Sequence, residues 1–167
     1  NLAVVIQDPD TGEELFARIK VPKVLPRFLR LPENLGGKSA VWTGVPLEQI
    51  IAHNLASLFP GMNVLECHPF RVTRNADLAV EEEEAEDLLL AIEQELRKRR
   101  LAGSVVRLEI QPTTSESVIK TLMQELAIEQ NEVYEVDGLL GLGDLMSFMG
   151  LPLPHLKDPA WNPVVPP

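Results

Sequence analysis

The apolar positions of the chain fall into short runs with strand spacing, broken by stretches with helical spacing. Leu2 to Gln7 and Glu13 to Lys20 predict two strands. Between them, Asp8-Pro9-Asp10-Thr11-Gly12 is turn-forming: Pro9 presets a turn dihedral and Gly12 accommodates positive φ. Pro22, Pro26 and Pro32 punctuate an extended passage that includes Arg27 to Leu31, and Glu33 to Ala40 is a polar loop. Pro46 suits the first position of a helix, where its missing N–H has no partner to lose. Behind it Leu47, Ile50, Ile51, Leu55 and Leu58 follow the 3.6-residue period, and Pro60-Gly61 stops it. Met62 to Arg74 predicts a strand in which Pro69 cannot donate to a ladder, so a sheet edge or a bulge is expected there.

The second half carries the clearest helix. Over Glu81 to Arg100, Ala85, Leu88, Leu89, Ile92 and Leu96 form one apolar stripe, with Gly103 just past the end. Val105 to Ile110 alternates, placing Val106, Leu108 and Ile110 on a buried face and Arg107 and Glu109 on the other. Thr113 with Glu116 fits a capping box for a helix carrying Val118, Ile119, Leu122, Met123 and Leu126. Glu132 to Val136 is a short strand. Leu142, Leu145, Met146 and Met149 fit a final short helix between Gly141 and Gly150. There is no fixed-period repeat. A hairpin followed by strands interspersed with helices predicts an α+β fold: a two-layer sandwich with helices packed on a mostly antiparallel or mixed sheet.

A length of 167 residues supports one well-buried core. Residues 1–150 are expected to form that single domain, and residues 151–167, reading LPLPHLKDPAWNPVVPP, a Pro-rich connector. The first residues already lie in an apolar run, which together with this finish suggests a domain cut from a larger protein. With 45% hydrophobic and 24% charged residues, the chain sorts with globular domains rather than disordered ones. No apolar run approaches the roughly 18 residues that predict a membrane span. The single Cys67 leaves no internal disulfide to form, and the simplest setting is reducing and cytoplasmic. A formal net charge of −10 argues against nucleic-acid binding, which needs a clustered positive surface.

Candidate chemistry is sparse. Gly36-Gly37-Lys38-Ser39 resembles the end of a phosphate-binding loop, but Pro32 stands where that pattern needs glycine, and an extended Val41-Trp42-Thr43-Gly44 follows where it needs a helix. Arg97-Lys98-Arg99-Arg100 offers the guanidiniums of a polyphosphate or phosphate patch, but it closes a helix that opens on Glu81 to Glu84, a distribution that complements the helix dipole and favours a solvated surface helix. His53, His68 and His155 have no Cys or His at ligand spacing, Glu81 to Glu84 point in different directions, and no Ser sits in a nucleophile elbow. No catalytic, cofactor or metal residue is therefore assigned. The remaining candidates are His68, Arg71 and Arg74. If the strand is regular, His68 and Arg74 share one face and Arg71 takes the other. These residues are either a cationic strand face that attracts an anionic polymer or the charges that keep an edge strand soluble. Arg18, Lys20, Lys23, Arg27 and Arg30 form a second positive run, read as an arm against a neighbouring domain or as surface charge.

Several segments in order, namely the NLAV opening, VLPRF, VPLEQIIAHNLASLFPGM, ECHPFRVTRNAD, EEEEAEDLLLAIEQELRKRR, VYEVDGLLGLGDL and LKDPAWNPVVPP, carry a resemblance over nearly the whole chain. It is similar to the middle, or head, domain of bacterial polyphosphate kinase. The resemblance implies an α+β domain of an enzyme that reversibly moves the terminal phosphate of ATP to polyphosphate through a phosphohistidine. It places that histidine, the Mg²⁺ site and the main phosphate contacts in C-terminal domains beyond Pro167, and nucleotide holding partly in an N-terminal domain. For this domain it implies subunit association in a homo-oligomer and part of a wall along the polyphosphate path, with ATP, ADP and Mg²⁺ belonging to the parent enzyme. The alternative is a non-catalytic polyanion-binding or regulatory module. The acidic balance requires either that the cations gather on one face or that another part of the enzyme handles the polymer. An assembled enzyme of this kind is also open to peripheral association with a membrane.

Overall fold

The computed structural model describes residues 1–32, 35, 42–75, 103–159, 161 and 163. The predicted helix from Glu81 to Arg100 with its basic end, and the Gly36-Gly37-Lys38-Ser39 run, lie outside the described residues. Strand β1 (Leu2–Gln7) pairs antiparallel with β2 (Glu14–Ile19), from Leu2 opposite Ile19 to Gln7 opposite Glu14. The intervening turn closes on Asp8, whose carboxylate accepts from the backbone N–H of Asp10 at 2.8 Å and of Thr11 at 3.3 Å. Strands β3 (Phe28–Arg30) and β4 (Gly44–Pro46) form a separate antiparallel pair. A Cβ at residue 44 would collide with the Trp42 ring and the Leu29 carbonyl oxygen, so glycine there lets the Trp42 ring lie against the backbone.

The single helix expected after Pro46 is two: α1 (Leu47–His53) and α2 (Leu55–Leu58). They part at Asn54, whose side-chain amide donates to the Ile50 carbonyl at 2.7 Å and so competes with the helical ladder. Strand β5 (Asn63–Arg74), β6 (Val105–Ile110) and β7 (Val133–Glu135) complete a five-stranded sheet in the order β2-β1-β5-β6-β7. All its pairs are antiparallel except β6 with β7. The α+β class and the mixed sheet are as the sequence predicts.

Pro69 does not mark an edge, because β5 lies between β1 and β6. It marks a change of partner. Residues up to Pro69 pair with β1, and from Phe70 onward the strand pairs with β6. The register shifts fall elsewhere, opposite Val5/Ile6 and at Thr73/Arg74. The second one corrects the reading of β6: Arg107 opposes Thr73 but Val105 opposes Arg74, so Val106 is skipped. Val105 takes the core position and Val106 is exposed.

Helix α3 (Glu116–Leu126) packs on one face of the sheet, where Val118 and Leu122 meet Ala3, Phe70, Val105, Leu108, Ile110 and Ile128. The alternate residues of β1, namely Leu2, Val4 and Ile6, form a second cluster with Leu55 of α2, flanked by Ile51 and Ala52 of α1 and by Cys67. Helices thus cover both faces of β1. Burying Phe70 or Leu108 contributes about 2 kcal/mol of transfer free energy each. The cap of α3 is Ser115, whose hydroxyl accepts from Val118 N–H, and not Thr113. The helix expected after Gly141 is a run of 3-10 turns, Leu142–Gly150, in which Leu142, Met146 and Met149 are exposed. Phe148 anchors that run on Phe28 and Trp42, with ring centroids 4.8 Å away in both cases. Among the described residues, no helix is long and apolar enough to cross a membrane.

Candidate functional site

The three candidate side chains of β5 are distributed as strand alternation requires, and each is engaged inside the domain. His68 lies opposite Ala3, on the α3 face. Its Nε2 donates to Glu66 Oε2 at 2.9 Å, and the same oxygen accepts from Ser115 Oγ at 2.6 Å. The Ser115 hydroxyl, and after it His68, hold the Glu66 carboxyl below its ordinary value. Serine, carboxylate and imidazole meet here in the wrong order for nucleophilic catalysis: Ser115 donates to the carboxylate, which stands between it and the imidazole. The cluster ties the start of α3 to β5. Arg74 lies opposite Val105, and its guanidinium donates to the Gly103 carbonyl where the chain enters β6.

Arg71 lies on the opposite face. It is in register with Glu109 on β6, which is in register with Tyr134 on β7, so the three form a row across the sheet. Arg71 Nη1 and Arg107 Nε both donate to Glu109 Oε1, each at 2.9 Å. The Arg107 guanidinium lies 3.8 Å from the Tyr134 ring centroid, within cation–π range. Glu109 is 8% exposed. A buried carboxylate needs charged partners, and its two arginines supply them while keeping their own side chains 48% and 39% exposed.

Beside this pair stands Arg27, from the basic run that the sequence could not assign. Its guanidinium donates to Glu48 at 2.7 Å, to Asp144 at 2.8 Å and to the Gly141 carbonyl at 3.0 Å. Burial alone would lower its pKa; the hydrogen bonds to Glu48 and Asp144 outweigh that and raise it. Gly141 sits at φ +66°, and a Cβ there would lie 3.1 Å from Arg27 Nη1 and 3.2 Å from Arg71 Cδ. Glycine therefore brings this loop against both arginines. Arg27 is a strut between α1, the loop and the β3–β4 pair.

Sequence reasoning missed Arg107, Glu109 and Tyr134. The signal was present in the polar phase of β6, but alternation assigned that phase to solvent. A cavity of about 680 Å³ lies elsewhere, against α3, lined by Glu116, Ile119, Lys120, Met123, Ile128 and Gln130 among others, and contains none of the three candidates. Burial pushes the Cys67 thiol up, which disfavours a thiolate. Among the described residues, no group of three or more His, Cys, Asp or Glu is placed to hold a metal ion.

Comparison with known proteins gives a consistent result. The family model described as the polyphosphate kinase middle domain matches residues 1–148. The chain is 63% identical over 171 residues to a polyphosphate kinase of Synechocystis sp., covering 100% of this chain and 24% of that protein. It is 65% identical over 170 residues to a polyphosphate kinase of Aphanizomenon baltica, covering 99% of this chain and 44% of that protein. The crystal structure of polyphosphate kinase from Porphyromonas gingivalis superposes with a TM-score of 0.66 at 22% identity, covering 98% of this chain and 22% of that one. That likeness concerns the fold. The chain spans less than half the length of each of these relatives.

Proposed function

The chain belongs to the polyphosphate kinase middle-domain family, and from that premise we propose that it is the non-catalytic association domain of a polyphosphate kinase. In this reading the parent enzyme reversibly transfers the ATP terminal phosphate to polyphosphate through a phosphohistidine carried by other domains. Those domains also hold ATP, ADP and Mg²⁺. Residues 1–150 form the domain, residues 151–167 lead to the next one, and the assembled homo-oligomer works in the cytoplasm. The domain supplies subunit and interdomain contacts and walls part of the polyphosphate path.

The observation that carries the association reading is the apolar surface of the 3-10 run. Leu142 is 61% exposed, Met146 71% and Met149 58%. Met146 and Met149, three residues apart, stack on one side of the 3-10 run, and exposed apolar side chains of this size favour burial against another surface. The test is made in the parent enzyme with Met146→Glu and Met149→Glu. The expected result is a smaller sedimenting species or loosened domains, with reduced turnover; unchanged assembly and unchanged turnover would overturn the reading. The non-catalytic part has its own test. Replacing His53, His68 and His155 one at a time by Gln should leave radiolabel transfer from ATP onto the parent enzyme intact, and loss of labelling in any one of them refutes it. The alternative of a polyanion-binding module is favoured by one observation, the exposed Arg71–Arg107 pair.

A further inference from the structure

We propose that Arg71 and Arg107 form a preorganised binding site for a phosphoryl-type oxyanion. For polyphosphate as the ligand, the inference rests on the path reading above and deepens it. Both guanidiniums donate to the same Glu109 oxygen at 2.9 Å, so they sit side by side on one sheet face. Two cations against one carboxylate leave this group of three with a local surplus of one positive charge, although the adjoining Arg27–Glu48–Asp144 cluster carries one net negative charge. Each arginine directs one of its five N–H donors at Glu109, and the side chains are 48% and 39% exposed, so further donors face solvent.

The pair is built rather than incidental. Glu109 is buried beneath it. The Tyr134 ring lies against Arg107 at 3.8 Å. The Arg71 stem is packed against Gly141, with Cδ 3.2 Å from where a Cβ would lie. Each contact removes rotamer freedom that a ligand would otherwise have to freeze, which lowers the entropic cost of binding. Guanidinium forks match phosphate oxygens bidentately, and a tetrahedral oxyanion can bridge two of them. Arg27, which meets the Gly141 position alongside Arg71, does not add to the site, because Glu48 and Asp144 already occupy it.

The experiment titrates the isotopically labelled chain with inorganic phosphate and, separately, with linear tripolyphosphate at low salt. It follows the arginine Nε–Hε resonances and measures binding by calorimetry. The chains are wild type, Arg71→Gln, Arg107→Gln, Arg107→Lys and the charge-matched control Lys20→Gln. Tripolyphosphate should shift the Arg71 and Arg107 signals, and phosphate should shift the same signals at higher concentration. Each Gln variant should weaken tripolyphosphate binding about tenfold, the loss expected for one charged hydrogen-bond pair. Arg107→Lys should fall in between, and Lys20→Gln should change affinity less than about twofold, since it alters charge but not the site. If Arg107→Gln disturbs folding, detected by its thermal transition, the Arg107→Lys comparison and the wild-type resonance shifts still decide.

Equal weakening by Lys20→Gln and Arg107→Gln overturns the proposal, because binding is then diffuse attraction. Tripolyphosphate binding with Arg71 and Arg107 silent also overturns it while leaving the path reading standing. No binding of either probe at low salt removes both statements about polyphosphate. In that case an acidic protein surface is the remaining occupant, and the association reading is decided by its own sedimentation test.

Discussion

Replacing Glu109 by Gln isolates the contact on which the ion network depends. The amide keeps the size of the carboxylate and one acceptor oxygen, so no cavity is made; only the charge is removed. In the wild type one oxygen accepts from two guanidiniums at 2.9 Å. A hydrogen bond to a charged group contributes about 1.5–3 kcal/mol and a neutral one about 1 kcal/mol, so each arginine loses on the order of 1 kcal/mol. The two guanidinium nitrogens also sit within about 6 Å of one another, and without the carboxylate their repulsion costs about 1 kcal/mol at an effective dielectric between protein and water. The arginine side chains are 48% and 39% exposed, so solvent screens part of each contribution. The expected destabilisation is about 2 kcal/mol.

Urea unfolding followed by far-UV circular dichroism is the assay. With a slope of about 2 kcal/mol/M, the midpoint should fall by roughly 1 M. A double-mutant cycle with Arg107→Gln should give a coupling of about 1 kcal/mol, because the second substitution removes a cation whose partner is already gone. A midpoint drop below about 0.3 M, or strict additivity in the cycle, would show that Glu109 is not held by its arginines in solution and would remove the support under the proposed oxyanion site.

Leu108→Ala, at a fully buried position of β6, should cost about 2–5 kcal/mol through lost transfer energy and a residual cavity, read as a lowered unfolding midpoint. Gly141→Ala should cost about 1–2 kcal/mol, because φ is +66° and the added methyl meets Arg27 and Arg71; a neutral effect in thermal unfolding contradicts the close approach. For Glu66 the sign follows from its depressed carboxyl: the stabilisation is present above the unfolded value near 4.5 and is lost as pH falls through the lower folded value. The stability gap between wild type and Glu66→Gln should therefore be full above the unfolded value and narrow as pH falls below it through the depressed folded value, and a gap independent of pH counts against the Ser115 and His68 contacts.

Strands β1, β2, β5 and β6 and helix α3 were legible because each writes its period into enough residues to survive local noise. The failures share a cause. Val106 and Val105 exchange roles because a single skipped residue reverses the phase of a strand, and a valine pair carries no mark of which one is skipped. Pro69 signalled an interruption correctly, but whether an interruption is an edge, a bulge or a change of partner depends on β1 and β6, which lie far away in sequence. Asn54 could be recognised as a weak helix former, yet its bond to Ile50 is a choice made by the side chain in the folded state. For the site, Arg71 was found by charge on a strand. Arg107 was discounted as the solvent face, because alternation cannot distinguish a polar residue facing water from one facing a buried partner.

That last ambiguity bears on why the network is built as it is. A carboxylate at the position of Glu109 is a poor way to stabilise a sheet, since an apolar residue of similar size would bury without desolvating a charge. Glu109 has a different consequence: it fixes two guanidiniums from adjacent strands beside one another, Arg71 through Nη1 and Arg107 through Nε, and leaves both side chains partly exposed. Arg27 shows the contrast within the same molecule. There two carboxylates saturate one arginine, its side chain is 19% exposed, and the contact serves only to join α1 to the loop after β7. The ratio of acids to bases separates the two arrangements. A strut needs its charge satisfied, whereas a binding pair needs one charge left over: Arg27 meets the first condition against Glu48 and Asp144, and Arg71–Arg107 meets the second against Glu109.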